Sequence, residues 1–148
     1  MKDAVILDSG PLGVLCNPNN FAQPLAIRAW ISALANAGRR VIIPEIADYE
    51  VRRELLRNRS FMASARLNGY GTQLEYSSLT TPSTRLAAEL WARARNAGRQ
   101  TAHDHALDGD VIIAAQAISL GFATIIATGN PAHLSRFTPA DLWQNIVP

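Results

Sequence analysis

The chain has 148 residues and a mass of 16.1 kDa, a size that suits one domain, here taken as 1–148, with a sizeable core. Hydrophobic residues make up 48% and charged residues 18%, with mean hydropathy +0.01, which excludes a disordered or collagen-like chain. The net charge is +2, from 14 basic residues, all arginine except Lys2, against 12 acids. Guanidinium groups pair bidentately with phosphate or carboxylate, so this bias is compatible with a nucleic-acid partner, although a GC-rich genome also produces it.

No apolar run approaches the roughly 20 residues that span a bilayer, so no membrane association is expected. The opening MKDAVILDSG has too short an apolar run for a signal-peptide core, which makes the cytoplasm the expected location. The single cysteine, Cys16, has no intramolecular disulfide partner, and no His/Cys cluster has zinc spacing.

In chain order, Val5 to Leu7 reads as a buried strand ending in a loop at Asp8, Ser9, Gly10 and Pro11. Apolar residues recur at helical spacing from Phe21 to Ala37, with Gly38 as the stop. Val41 to Ile43 is a second strand, after which Pro44 opens a helix running to about Leu56. Asn58 to Ser60 interrupts it, and Phe61 to Asn68 makes another helix before Gly69 and Gly71. Leu74 to Leu79 is a third strand, and Ser83 or Thr84 caps a helix that ends at Gly98. Arg99 to Asp104 reads as a loop, and Asp108 caps a helix through Leu120. Ala123 to Ala127 is a fourth strand, followed by a short helix at Ala132 to Leu134 and a last edge strand within Pro139 to Val147. Strands separated by helices predict a three-layer α/β/α sandwich with a mainly parallel central sheet.

Active sites of such sheets lie beyond the carboxyl ends of the strands. Asp8 ends the first strand, Glu45, Asp48 and Glu50 follow the second, Asp108 and Asp110 open the helix before the fourth, and Thr128 and Asn130 follow that strand. Converging carboxylates whose repulsion a cation relieves are the expected construction of a site for Mg²⁺ or Mn²⁺. Each acid also has a plainer role. Asp8 can serve its turn, Glu45 and Asp48 suit the positive end of a helix dipole, and Glu54 suits a surface pair with Arg53 or Arg57. Glu50 lies near the margin of the buried face. Asp108 and Asp110 would point about 200° apart on one helix, so Asp110 is assigned to the cation and Asp108 to the cap. His103, His105 and His133 do not pair on one helix face.

Arg52, Arg53, Arg57, Arg59 and Arg66 begin beside Glu50. On one continuous helix they would form an exposed band able to track a phosphate backbone, with Phe61 or Tyr70 available to stack on bases; a solvated face is the alternative. Arg93, Arg95 and Arg99 read as solvated. Ser9 and Thr128 are candidates to position phosphate or water, or to end their elements. Trp30, Trp91 and Trp143 suit core packing first and a dimer contact second.

The runs VILDSGPL, IPEIADYEVRREL, LDGDVIIAAQAISLG and TIIATGN, in this order and over nearly the whole chain, resemble the PIN domain family of metal-dependent ribonucleases and its VapC toxins. The resemblance matches the family's acids to Asp8, Glu50 and Asp110. It implies a PIN-like fold and an Mg²⁺- or Mn²⁺-dependent endoribonuclease that leaves a 5′-phosphate. It further implies single-stranded or structured RNA as substrate, a small antitoxin as partner, and a homodimer. Relatives often carry a further acid in or just after the T-x-N/D element, where this chain has Thr128 and Asn130, then His133. Asn130 can hold a water or a hydrogen bond but adds no charge, and Asp108 is a candidate to supply some of it. One cation is therefore the expectation. The missing acid leaves open a second reading, a catalytically weak module of this fold that binds nucleic acid or protein. A phospho-receiver reading fails for want of a late lysine.

Overall fold

The computed structural model describes residues 2–98 and 104–148, with side chains described for all of these except 104–107. The strands are β1 (Ala4–Leu7), β2 (Val41–Pro44), β3 (Glu75–Ser77), β4 (Thr124–Thr128) and β5 (Ala140–Leu142). They pair in parallel in the order β3-β2-β1-β4-β5. The helices are α1 (Ser9–Cys16), α2 (Ala22–Asn36), α3 (Glu45–Arg57), α4 (Phe61–Gln73), α5 (Thr81–Asn96), α6 (Asp104–Ser119) and α7 (Pro131–Leu134), with a 3₁₀ turn at Trp143–Asn145. The α/β architecture and its parallel central sheet are those expected from the sequence.

The strands read as unbroken apolar runs because both faces of the sheet are covered. Successive residues of a strand point to opposite faces. Val5 and Leu7 pack with Leu12, Leu15, Ile27, Leu34, Ala47 and Val51 from α1, α2 and α3. Ala4 and Ile6 pack instead with Ile113 and Ala117 of α6. Outside α6 lies α5, whose Ala87, Leu90 and Ala94 meet Val111, Ala114 and Ala115. Trp30 and Trp143 are both buried, with ring centroids 5.4 Å apart, and Trp30 Nε1 donates to the Ile146 carbonyl at 2.8 Å. They are core residues, so neither is available for the dimer contact considered as their second role.

Several boundaries differ from the sequence expectation. The Asp8 to Pro11 stretch enters α1 rather than forming a loop. The Asp8 carboxylate accepts from Ser9 N, and Pro11 falls in the first turn, where no intrahelical acceptor awaits its missing N–H. Tertiary packing of Leu12 and Leu15 then outweighs the turn chemistry of Ser-Gly-Pro. Likewise α4 continues through Gly69 and Gly71 to Gln73, while the third strand contracts to Glu75–Ser77. The cap of α5 is Thr80, which exchanges hydrogen bonds with Ser83 in a capping box, so Ser83 is the third helical residue rather than the cap.

Asp108 is not a helix cap either, because α6 already begins at Asp104. Of the loop expected over 99–104, residues 99–103 lie outside the described residues. The break between α3 and α4 does occur at Asn58 to Ser60, where Arg59 has φ 53°. That break removes the continuous helix on which an arginine band was expected.

One buried polar residue ties the layers together. Gln116, 2% exposed, accepts from Ile46 N at 3.2 Å and donates to the Ser77 carbonyl at 2.8 Å. It thereby satisfies a first-turn N–H of α3 and sets α6 against α3. Gln116→Leu should destabilise the fold by about 1–3 kcal/mol, because it strands two backbone groups. Equilibrium denaturation checks this, and unchanged stability would mean that the two groups find other partners.

Candidate active site

The chain progresses from β1 to β2 and β3 on one side, then returns to place β4 on the other side of β1. The crevice beyond the carboxyl ends of β1 and β4 is therefore the topological switch point of the sheet. Asp8 stands there, immediately after β1. Its Oδ1 accepts from Ser9 N at 2.7 Å and its Oδ2 from the Thr128 hydroxyl at 2.8 Å. Thr128 Oγ1 also accepts from Asn130 N at 3.1 Å. Asp8, Ser9, Thr128 and Asn130 thus form one hydrogen-bonded group across two strand ends.

Glu50 enters this crevice from α3 and Asp110 from α6, both half-buried. A Cβ added to Gly109 would stand 3.5 Å and 3.7 Å from the two Glu50 carboxylate oxygens. The lack of a side chain there keeps open the space between α6 and Glu50. Burial raises the Glu50 carboxyl above its ordinary range; Asp8 adds to the rise, Arg53 opposes it, and Asp110 adds a smaller share. Burial likewise raises Asp110, with His133 opposing, Asp8 reinforcing and Arg136 opposing. The charge of Asp8 thus reaches both other acids assigned from the sequence, and that of Asp110 reaches Glu50.

The other candidates fall elsewhere. Asp108 is exposed and borders a groove with Thr84, Ala87, Trp91 and Val111, on the α5 side of α6. Glu45 accepts from Leu79 N at 3.0 Å, which ties α3 to the segment before α5. Asp48 is buried and accepts from Arg52 Nε at 2.7 Å and from the Tyr76 hydroxyl at 3.1 Å. Burial and the adjacent Asp48 charge push the Tyr76 hydroxyl up to about 12. Arg52 also donates to Asn68 Oδ1 at 2.9 Å, so its guanidinium is engaged between α3 and α4 rather than presented as a band. Arg57 pairs with Glu54 on the surface at 2.7 Å. Arg53 leans on the exposed Tyr49 ring at 5.2 Å and is the arginine of α3 whose charge reaches Glu50. Phe61 is 79% exposed, whereas Tyr70 packs against the core.

Two observations bear on a divalent cation. Among the described residues Asp110 Oδ2 is buried without a hydrogen-bond partner, and the open space at Gly109 lies against the Glu50 carboxylate. Among the described residues, however, no group of three His, Cys, Asp or Glu side chains is arranged to hold an ion by direct contact. The residues therefore fit a hydrated cation met in large part through water, as Mg²⁺ commonly is.

The raised carboxyls have a consequence for stability. Glu50 and Asp110 hold protons more readily folded than unfolded, so their charging costs folding free energy as pH rises above the ordinary carboxylate range. Without divalent cation, Tm should fall between about pH 4.5 and about pH 7 by more than in a Glu50→Gln/Asp110→Asn double variant. Thermal melts of the two proteins test this; parallel profiles would refute it.

Several solved structures share this fold. A chain in VapBC2 from Rickettsia felis bound to a DNA fragment from their promoter matches with a TM-score of 0.75 and 17% identity, over 95% of this chain and 98% of that one. DNA-bound VapBC from Salmonella typhimurium matches with a TM-score of 0.67 and 20% identity, over 96% and 99%. FitAcB from Neisseria gonorrhoeae matches with a TM-score of 0.62 and 16% identity, over 96% and 99%. The chain has the PIN-like fold. No family model matches the sequence, and no curated protein matches it.

Two features around this crevice escaped the sequence reading. The approach of His133 to Asp110, at 3.6 Å, joins residues on different elements and has no local signature. Gln116 did leave a trace, as a lone amide in the apolar run VIIAAQAI.

Proposed function

We propose that the protein is a metal-dependent endoribonuclease of PIN type and the toxin of a type II toxin–antitoxin pair. The supporting observation is the convergence of Asp8, Glu50 and Asp110 from three distant segments on the switch-point crevice, where burial and mutual repulsion raise Glu50 and Asp110. Such a group is costly to maintain unless a cation offsets its charge. Asp8, Glu50 and Asp110 would hold Mg²⁺ or Mn²⁺, with Asn130 fixing the surrounding hydrogen bonds. When bound, the ion supplies an acidified water and neutralises charge that develops on the scissile phosphate.

The chain's own residues do the positioning. Ser9 N and the Thr128 hydroxyl hold both oxygens of Asp8, which fixes the direction of its lone pairs. Arg53, beside Glu50, offers a cation to the RNA backbone on the α3 side of the crevice. Arg57 lies further along the same helix, and Ser9, Thr128 and Asn130 lie within reach of a phosphate at the strand ends. Arg52 contributes to this surface chiefly by holding α3 to α4.

The partner reading rests on the fold shared with chains of VapBC and FitAcB complexes, and it implies a small antitoxin encoded beside this chain. A homodimer and a cytoplasmic location go with that reading. Among the described residues no helix is long and apolar enough to cross a membrane.

Incubation with single-stranded RNA should give cleavage that needs Mg²⁺ or Mn²⁺, stops with chelator and leaves 5′-phosphate ends. RNA binding without cation-stimulated cleavage would overturn the nuclease reading in favour of a binding module on the same fold. Growth arrest on expression, relieved by the neighbouring open reading frame, tests the toxin assignment; harmless expression of active enzyme would defeat it.

A further inference from the structure

We propose that His133 is a direct ligand of the divalent cation beside Asp110, and that this nitrogen makes the site favour Mn²⁺ over Mg²⁺. The inference rests on the reading of Asp8, Glu50 and Asp110 as a cation site and concerns which ion that site selects.

His133 lies on α7, whose first residue is Pro131. Its Nδ1 stands 3.6 Å from Asp110 Oδ2, too far for a hydrogen bond, and among the described residues that buried oxygen has no hydrogen-bond donor. The side-chain amide of Asn130 lies 3.2 Å from the same Nδ1. Neutral imidazole, the form in which histidine ligates metals, offers a lone pair at one ring nitrogen. In that form two electron-pair donors face one gap, and the proton of the His133–Asp110 ion pair is what a bound cation would displace. Adjacent ligands of an octahedral ion with bonds of about 2.1 Å stand about 3 Å apart, so a small closure seats both atoms on one ion, which replaces the Asn130 contact.

The surroundings favour one ion over two. Arg136 Nε donates to the His133 carbonyl at 3.1 Å, and its charge is felt at Asp110. Together with Asn130, an uncharged amide after the end of β4, it keeps this side of the crevice from accumulating the negative charge that a second cation needs. The selectivity follows from ligand chemistry. Mg²⁺ takes oxygen ligands and dehydrates reluctantly, whereas imidazole nitrogen adds affinity for first-row transition ions, among which Mn²⁺ also accepts carboxylate and water.

The test is titration of the full chain with Mn²⁺ and with Mg²⁺, by calorimetry and by electron paramagnetic resonance of bound Mn²⁺. Wild type should bind Mn²⁺ more tightly and show coupling to a directly bound ¹⁴N. His133→Ala should lose that coupling and about 10- to 100-fold of Mn²⁺ affinity, with Mg²⁺ affinity changed by no more than about twofold. His133→Asp should keep cation binding, raise Mg²⁺ affinity and narrow the preference for Mn²⁺, which guards against loss of Mn²⁺ binding by misfolding. Unchanged Mn²⁺ affinity or retained ¹⁴N coupling in His133→Ala overturns the inference. If Asp110→Asn still abolishes Mn²⁺ binding in that case, the cation site itself stands without His133. Wild type that binds Mg²⁺ but not Mn²⁺ overturns the inference alone, and failure to bind either ion overturns both.

Discussion

Asp8→Asn should reduce cation-stimulated RNA cleavage by at least about 10²- to 10³-fold, the scale on which loss of one preorganised group at a reacting centre is felt. The substitution leaves the fold intact for an identifiable reason. Asn retains an oxygen that can accept from Ser9 N, so α1 keeps its cap, and its amide nitrogen can donate to the Thr128 hydroxyl in place of accepting from it. Removing the Asp8 charge also relieves part of the repulsion that raises Glu50 and Asp110, so Tm without cation should not fall. Cleavage assays and thermal melts on the same preparation separate the two effects. Wild-type cleavage in this variant would remove Asp8 from the chemistry, whereas a large drop in Tm would show that its role is mainly structural.

The second expected result concerns stability. Arg52→Met should cost about 2–3 kcal/mol, which for a domain of this size lowers Tm by about 5–10 °C. The pair is only partly buried, with Arg52 37% and Asp48 12% exposed at the side chain, so solvent screens some of the attraction. The larger share of the cost comes from the Asp48 carboxylate, left in a buried position with Tyr76 as its remaining hydrogen-bond donor, together with loss of the Asn68 contact. Arg53→Met should behave oppositely, with stability nearly unchanged and RNA affinity lower with a shallower salt dependence. Denaturation curves and RNA binding at two salt concentrations decide it. Equal loss of RNA affinity in both variants would restore Arg52 to the substrate surface.

Arg52 and Arg53 show where sequence reading reaches its limit. Neighbouring residues on a helix diverge by about 100°, so adjacent arginines meet different surroundings. Asp48 and Arg52 stand at the four-residue spacing of a helical ion pair, whereas the sequence reading assigned Asp48 to the helix dipole and Arg52 to the band. The burial of that pair depended on β3 bringing Tyr76 and α4 bringing Asn68, and neither is local. The expected arginine band failed for a related reason, since the turn at Arg59 redirects the chain between the two helices.

At the N-terminal end of the site, local signals competed. Ser9, Gly10 and Pro11 favour a turn, and only the burial of Leu12 and Leu15 makes α1 the better solution. Asp8 was recognisable in either case, because an apolar run that stops at an acid marks a strand end whatever follows. For Asp108, the two-residue offset from Asp110 correctly implied that they face apart, but the extra helical turn from Asp104 changed which role was left to it.

The sequence by itself determined the alternation of strands and helices, the apolar runs of a sheet covered on both faces, and the acids at the strand ends, because each is written in neighbouring residues. Only the tertiary structure decided which acids meet. The crossover that places β4 beside β1 brings Thr128 to Asp8, and the packing of α6, tied by Gln116, brings Asp110 toward Glu50 and His133. Those approaches link residues up to 120 positions apart. They follow from how the layers bury their apolar faces, which no local stretch of the chain encodes.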